Sequence, residues 1–209
     1  MKRKALLIIL LIISFSFPSR ARFPDGSFLR RFNFGVEWGY SQSLLRIWDY
    51  NFVSEEGYRI YERDGGFHIR PNGSVFVQAG YLLNEEFVIA LYGGFLGVGE
   101  NNRLLPLQLR LSWFPYSVDE DGGFYYLQGG PAFHLHEQES VPGWLFAGGL
   151  GYRLPLNPGC SLDILFGAKY LHDHPLLPDP ERPGYVPAHR IRKNNAGYCA
   201  LDLSIAVNF

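Results

Sequence analysis

Apolar and polar side chains alternate with a period of two in eight segments of the chain, and the clearest is the last, Tyr198 to Phe209. Cys199, Leu201, Leu203, Ile205, Val207 and Phe209 share one side of an extended chain, with Ala200, Asp202, Ser204, Ala206 and Asn208 on the other. One face is wholly apolar and the other small or polar. The first such segment is Phe32–Ser41, where Phe34, Val36, Trp38 and Tyr40 oppose Asn33, Gly35, Glu37 and Gly39. Ser74–Leu83, Glu86–Gly97, Leu104–Phe114, Phe124–His134, Trp144–Leu154 and Cys160–Leu171 follow. The second and third of the eight are more apolar on both faces.

Strands of roughly ten residues suit a tilted β-strand crossing a bilayer. The connections alternate too. Gln42–Gly73, Val98–Arg103, His136–Gly143 and His172–Ala196 are long or polar, whereas Asn84–Glu85, Pro115–Gly123 and Pro155–Gly159 are short. Long loops on one rim and tight turns on the other predict an all-β fold, an eight-stranded antiparallel up-and-down transmembrane β-barrel. The competing arrangement is a soluble exported β-barrel of lipocalin type, which holds its apolar residues inside. In that arrangement Glu37, Arg110, Arg153, Asp163, Lys169 and Asp202 would all face water.

The amino-terminal stretch fits export. Lys2-Arg3-Lys4 precedes an apolar run from Ala5 to Phe17, and Ser19 and Ala21 are small residues at the −3 and −1 positions of a cleavage site. The predicted organisation is a signal peptide over 1–21, a short segment over 22–31 and the barrel over 32–209. The apolar run is short for a spanning helix, and an uncleaved anchor is the alternative. Cleavage would remove four basic residues (Lys2, Arg3, Lys4, Arg20) and no acidic one, turning a formal charge of −1 into −5. A net negative chain argues against nucleic acid as a partner. Aromatic residues make up 16% of the chain, which suits interfacial girdles but would also suit a β-sandwich.

On these residues the chain resembles the small eight-stranded outer-membrane barrels of Gram-negative bacteria, the class that includes the OmpA membrane domain and the PagL and PagP enzymes. The resemblance spans Phe32 to Phe209 and picks out no subfamily. It implies residence in the outer membrane, contact with its lipids including lipopolysaccharide, and recognition of the final strand by the barrel assembly machinery.

Chemistry-bearing residues fall into three groups. Glu37, Asp163 and Asp202 with Arg110, Arg153 and Lys169 would point into a lumen that eight strands leave just filled. Enclosed charges must pair, so a structural ion-pair network is expected, with a gated channel or proton path as the alternative. All six histidines lie in predicted outer loops or adjoining strand ends. His134 and His136, and His172 and His174, form two His-x-His pairs that could hold zinc or a similar metal with Glu137, Glu139 and Asp173 nearby. The alternative is ordinary loop histidines, with no cofactor.

The third group lies in the first and last long loops. Trp48, Tyr50, Phe52, Tyr58 and Tyr61 mix with charges in the first, and Arg190, Arg192 and Lys193 close the last. Aromatics among charges suit a binding surface for an extracellular ligand. The basic cluster suits lipopolysaccharide phosphates. A lipid A deacylase like PagL would need a His-x-Ser-Asn segment. His189-Arg-Ile-Arg-Lys-Asn-Asn-Ala-Gly197 lacks the serine, so no activated hydroxyl is at hand. The expected role is therefore structural or surface-binding and not enzymatic, with a deacylase-like or metal-binding activity as the alternative. Cys160 and Cys199 are predicted to sit at opposite rims, too far apart to bridge, as two free outward thiols.

Overall fold

The computed structural model describes residues 31–98, 102–135 and 141–209. The predicted signal peptide and nearly all of the 22–31 segment lie outside the described residues. The rest forms eight antiparallel strands: β1 (Phe32–Val53), β2 (Arg59–Leu82), β3 (Phe87–Val98), β4 (Asn102–Trp113), β5 (Gly122–His134), β6 (Gly143–Asn157), β7 (Cys160–Asp173) and β8 (Ile191–Asn208). Each strand pairs with its sequence neighbours, and β1 also pairs with β8, so the sheet returns on itself. Short turns form where the sequence supplies turn chemistry. Pro158-Gly159 joins β6 to β7, with proline presetting one dihedral and Gly159 at φ 89°. Between β2 and β3 the Asn84 side chain accepts from the N–H groups of Glu86 and Phe87 at 3.0 and 2.7 Å.

The expected eight-stranded barrel of strands near ten residues is corrected by the strand lengths and the pairing, which leave the sheet closed over only part of its height. The strands run from 12 to 24 residues. Pairing of β2 with β3 stops at Ser74↔Leu96, but pairing of β1 with β2 continues to Val53↔Arg59. Along Arg59–Gly73 the outer edge of β2 has no strand partner among the described residues. The sheet closes through β1 and β8 only in its lower part, and rises from there as an open three-stranded ribbon, β8–β1–β2. Most of the predicted first loop is therefore strand, turning only over Ser54–Tyr58 with Gly57 at φ 88°.

The ribbon was hidden by an irregularity. Register shifts between Ser43 and Leu45 against both neighbours. The alternation of β1 reverses there: Ser41 and Ser43 point inward, but beyond the shift Leu45 and Ile47 point outward. A period-two pattern whose parity flips reads as no pattern at all.

Below the shift the burial is inverted relative to a water-soluble domain. Leu109, Leu127 and Phe166 are 54%, 71% and 55% exposed, whereas Glu37, Arg110 and Asp202 are 2–3% exposed. Apolar layers share the interior with the charges. One cluster near the short turns includes Val88, Phe114, Phe124 and Leu165. A larger one nearer the opposite rim includes Phe76, Leu96, Leu104, Leu145, Leu171 and Tyr198.

Candidate functional site

The six lumen residues named from the sequence are all buried, and they meet in three opposite-charge pairs. Arg110 on β4 reaches across to Glu37 on β1 at 2.8 Å. Its guanidinium also donates to Tyr92 Oη at 2.7 Å and Gln128 Oε1 at 2.5 Å, and lies over the rings of Tyr92 and Tyr126. Glu37 accepts in turn from the Ser204 hydroxyl on β8 at 3.0 Å. Arg153 and Asp163, opposite each other on β6 and β7, make a two-point fork of 2.7 and 2.6 Å. Lys169 on β7 meets Asp202 on β8 at 2.5 Å. The first pair joins β1 to β4, strands that are not neighbours, and the other two join adjacent strands, so the network fixes the packing across the lumen as well as around it.

The interior leaves little room. Beside Lys169 and Leu171 the free space is about 10 Å³, room for about a single water molecule. The larger cavity, about 470 Å³, opens at the short-turn rim beside Asn33, Val118 and Asn208, with Arg153 among its lining.

The outer end is covered. The segment after β7 folds over the inner face of the ribbon, and Leu177 and Val186 pack with Phe52 in a small core of their own, joined by Trp48, Tyr50 and Ile60. Polar ties hold this lid at its base. Trp48 donates its indole N–H to Asn194 Oδ1 at 2.8 Å, and Asn194 donates to the carbonyl of Pro175. His174 Nδ1 lies 2.6 Å from the Asn194 carbonyl. At the far end Arg190 donates to the Val53 carbonyl at 2.7 Å and lies 3.4–3.7 Å from Glu55, Asp179 and Glu181. Tyr58 donates to Glu181 at 3.1 Å.

Of the four candidate metal-binding histidines, the three that are described do not converge. His134 points inward, 2.8 Å from the fully buried Asp173. His172 and His174 flank Asp173 in sequence, and strand alternation sends them to the other side. Their rings meet edge to face, 5.0 Å apart. His136, with Glu137 and Glu139, lies outside the described residues. Among the described residues no group of three or more His, Cys, Asp or Glu side chains forms a metal-binding cluster.

The basic cluster divides as well. Arg190 is absorbed into the lid with its side chain 12% exposed, leaving Arg192 and Lys193 outward, the latter 2.6 Å from Asp49. Tyr50 lies on the inner face of the ribbon and donates to Glu62. Burial first, and then that carboxylate, push its phenol from the ordinary 10.0 up to about 12. A spectrophotometric titration of the protein against Tyr50→Phe should place the missing ionisation near pH 12; a midpoint near 10 would mean the lid does not cover this residue. Cys160 and Cys199 are unbridged, at the foot of β7 and well along β8.

No protein-family model matches the chain, and no curated protein matches it. Solved structures do resemble it. The outer membrane protein OprG from Pseudomonas aeruginosa is 11% identical over 85% of this chain and 95% of its own, with a TM-score of 0.50. Neisserial surface protein A is 12% identical over 83% of this chain and 95% of its own, at 0.41. Ail, the attachment invasion locus protein of Yersinia pestis, is 12% identical over 85% and 98%, at 0.38. At these identities the likeness is one of fold alone.

Proposed function

We propose that the chain is a bacterial outer-membrane barrel with a plugged interior, whose outer ribbon and lid form a surface-binding platform without catalytic activity. The observation that carries this reading is the outward apolar belt. On β4 alone Leu105, Leu107, Leu109, Leu111 and Trp113 all face out at 42–54% exposure. Nine residues at ~3.3 Å per residue, tilted by roughly 40°, span about 23 Å, close to the ~25 Å apolar band of such barrels. Aromatic rings fringe the belt at the short-turn rim, where Phe32 meets Tyr81 and Trp113 stacks with Phe87 and Tyr125. In water this surface would drive aggregation; in lipid it is the correct exterior.

The ion pairs, the apolar layers and the lid support a closed lumen over a channel or proton path. In this reading the outer-leaflet lipid includes lipopolysaccharide, with Arg192 and Lys193 available to its phosphates, and the barrel assembly machinery engages β8. Fractionation followed by gel electrophoresis of unboiled and boiled samples tests the placement. A membrane-bound protein that migrates faster unboiled is expected, and a soluble periplasmic one would overturn the reading. In planar bilayers the folded protein should produce no stepwise conductance.

A further inference from the structure

The register of the sheet fixes how high each outward side chain stands against the membrane. Followed from strand to strand, Phe34 on β1 leads through Leu109 on β4 and Phe146 on β6 back to Leu45 on β1. One circuit thus climbs about ten regular residues, or ~25 Å at a tilt of roughly 40°, and each strand crossed in chain order lies ~3 Å higher. Trp144, stacked on Phe146, marks the upper aromatic fringe on β6. The same path from Trp144 leads through His172 and Gly197 to Ile47 on β1. Ile47 therefore stands ~9 Å above Trp144, with Leu45, Ile69 and Phe67 between the two levels. All four face outward, Phe67 at 84% and Ile69 at 68% exposure. The polar head-group layer is ~5–8 Å thick on each side of a bilayer, so this apolar ledge crosses that layer. Above the ledge the outward face turns basic. Arg63 lies opposite Asp49 in register, and Lys193 is 2.6 Å from Asp49. One carboxylate between two cations leaves this level positive.

We infer that this face seats one lipopolysaccharide molecule of the outer leaflet, with its sugars on the ledge and the anionic groups of its core at Arg63 and Lys193. The inference rests on the membrane reading, because the bilayer supplies the levels. Height and charge together select the occupant. Arg63 and Lys193 branch from the wall ~15 Å above Trp144, beyond the top of a phospholipid head group. A phospholipid would also set a hydrated charge against Phe67 and Ile69, which offer it no partner. Lipopolysaccharide places sugar rings in that layer, and the C–H faces of such rings pack on apolar side chains. Gly65, next to Ile47, leaves room for a ring beside the protruding Phe67, since a side chain there would meet nothing nearer than 4.0 Å. Core sugars above carry phosphates and carboxylates, the groups that an arginine fork and a lysine ammonium bind. The ledge is continuous below with the apolar belt, so the acyl chains of the same molecule stay in lipid. On β4, β5 and β6 the strands end within a few residues of the upper fringe, and no ribbon rises there to hold a core.

Native mass spectrometry of the folded protein in detergent counts the lipid molecules it retains. The probes are lipopolysaccharide with its inner core, lipid A without core sugars, and phosphatidylglycerol. One core-bearing lipopolysaccharide should bind at least tenfold more tightly than lipid A, with phosphatidylglycerol weaker still. Arg63→Ser combined with Lys193→Ser should bring lipopolysaccharide down to the level of lipid A, and Phe67→Ser should weaken it at least fivefold. Both variants should keep the unboiled gel shift, because these side chains lie on the surface. Equal binding of lipopolysaccharide and lipid A, or a preference for the core that survives the double variant, would overturn the site. A gel shift retained in that case would leave the membrane reading standing, whereas a soluble protein without the shift would remove both.

Discussion

Glu37→Leu is expected to destabilise the folded protein by about 3–5 kcal/mol, the usual cost of leaving one member of a buried ion pair without its partner. Glu37 is 2% exposed and Arg110 3%, so no water replaces the lost carboxylate. Arg110 would keep Tyr92 and Gln128 as neighbours, but both are neutral. The Ser204 hydroxyl would also lose its acceptor. The double variant Glu37→Leu with Arg110→Leu removes the stranded charge, and should recover most of the loss despite having two changes instead of one. Urea unfolding of vesicle-inserted protein, followed by the fraction with the unboiled gel mobility, reads both. Equal destabilisation in the single and double variants would mean that packing, not charge pairing, carries this part of the lumen.

The shared face of these charges is legible in the sequence, because strand alternation assigns a face to each residue by parity alone. Glu37, Arg110 and Asp202 belong to segments whose other face is apolar throughout. Parity does not say which acid meets which base. The Glu37–Arg110 pair spans the lumen between β1 and β4, a distance set by how the sheet curves. The ribbon escaped for the complementary reason. The shift at Ser43/Leu45 reverses the parity of β1, and Gly65-Gly66 and Pro71-Asn72-Gly73 give β2 the composition of a loop. Nearness in sequence brings the histidines together, but His134 and His172 stand on opposite sides of the sheet wall. Arg190 looked like a free cation because Glu55, Asp179 and Glu181, its neighbours in space, come from two separate turns.

The lid depends on one aromatic side chain more than on its charges. Phe52→Ala should therefore open the lid without unfolding the barrel. Phe52 is 1% exposed, packs with Leu177 and Val186, and lies against the ring of Tyr50 at 6.3 Å. Truncating such a residue costs about 3–5 kcal/mol. The hydrogen bonds at the base of the lid and around Arg190 remain, but they tie its two ends and do not replace the apolar contact between them. Exposed ion pairs such as Arg182–Glu55 add ~1 kcal/mol or less each. Neither of the barrel's own apolar clusters includes Phe52, so the loss stays local. Cleavage within residues 174–190 by a low dose of protease should accelerate by about two orders of magnitude, since each ~1.4 kcal/mol is a factor of ten in the open population. The unboiled gel shift should not change. Opening the lid should not open a pore either: Leu96, Leu104, Leu145 and Leu171 still fill the lumen beneath it. A stepwise conductance appearing in Phe52→Ala would show that the lid, not this layer, is what closes the barrel.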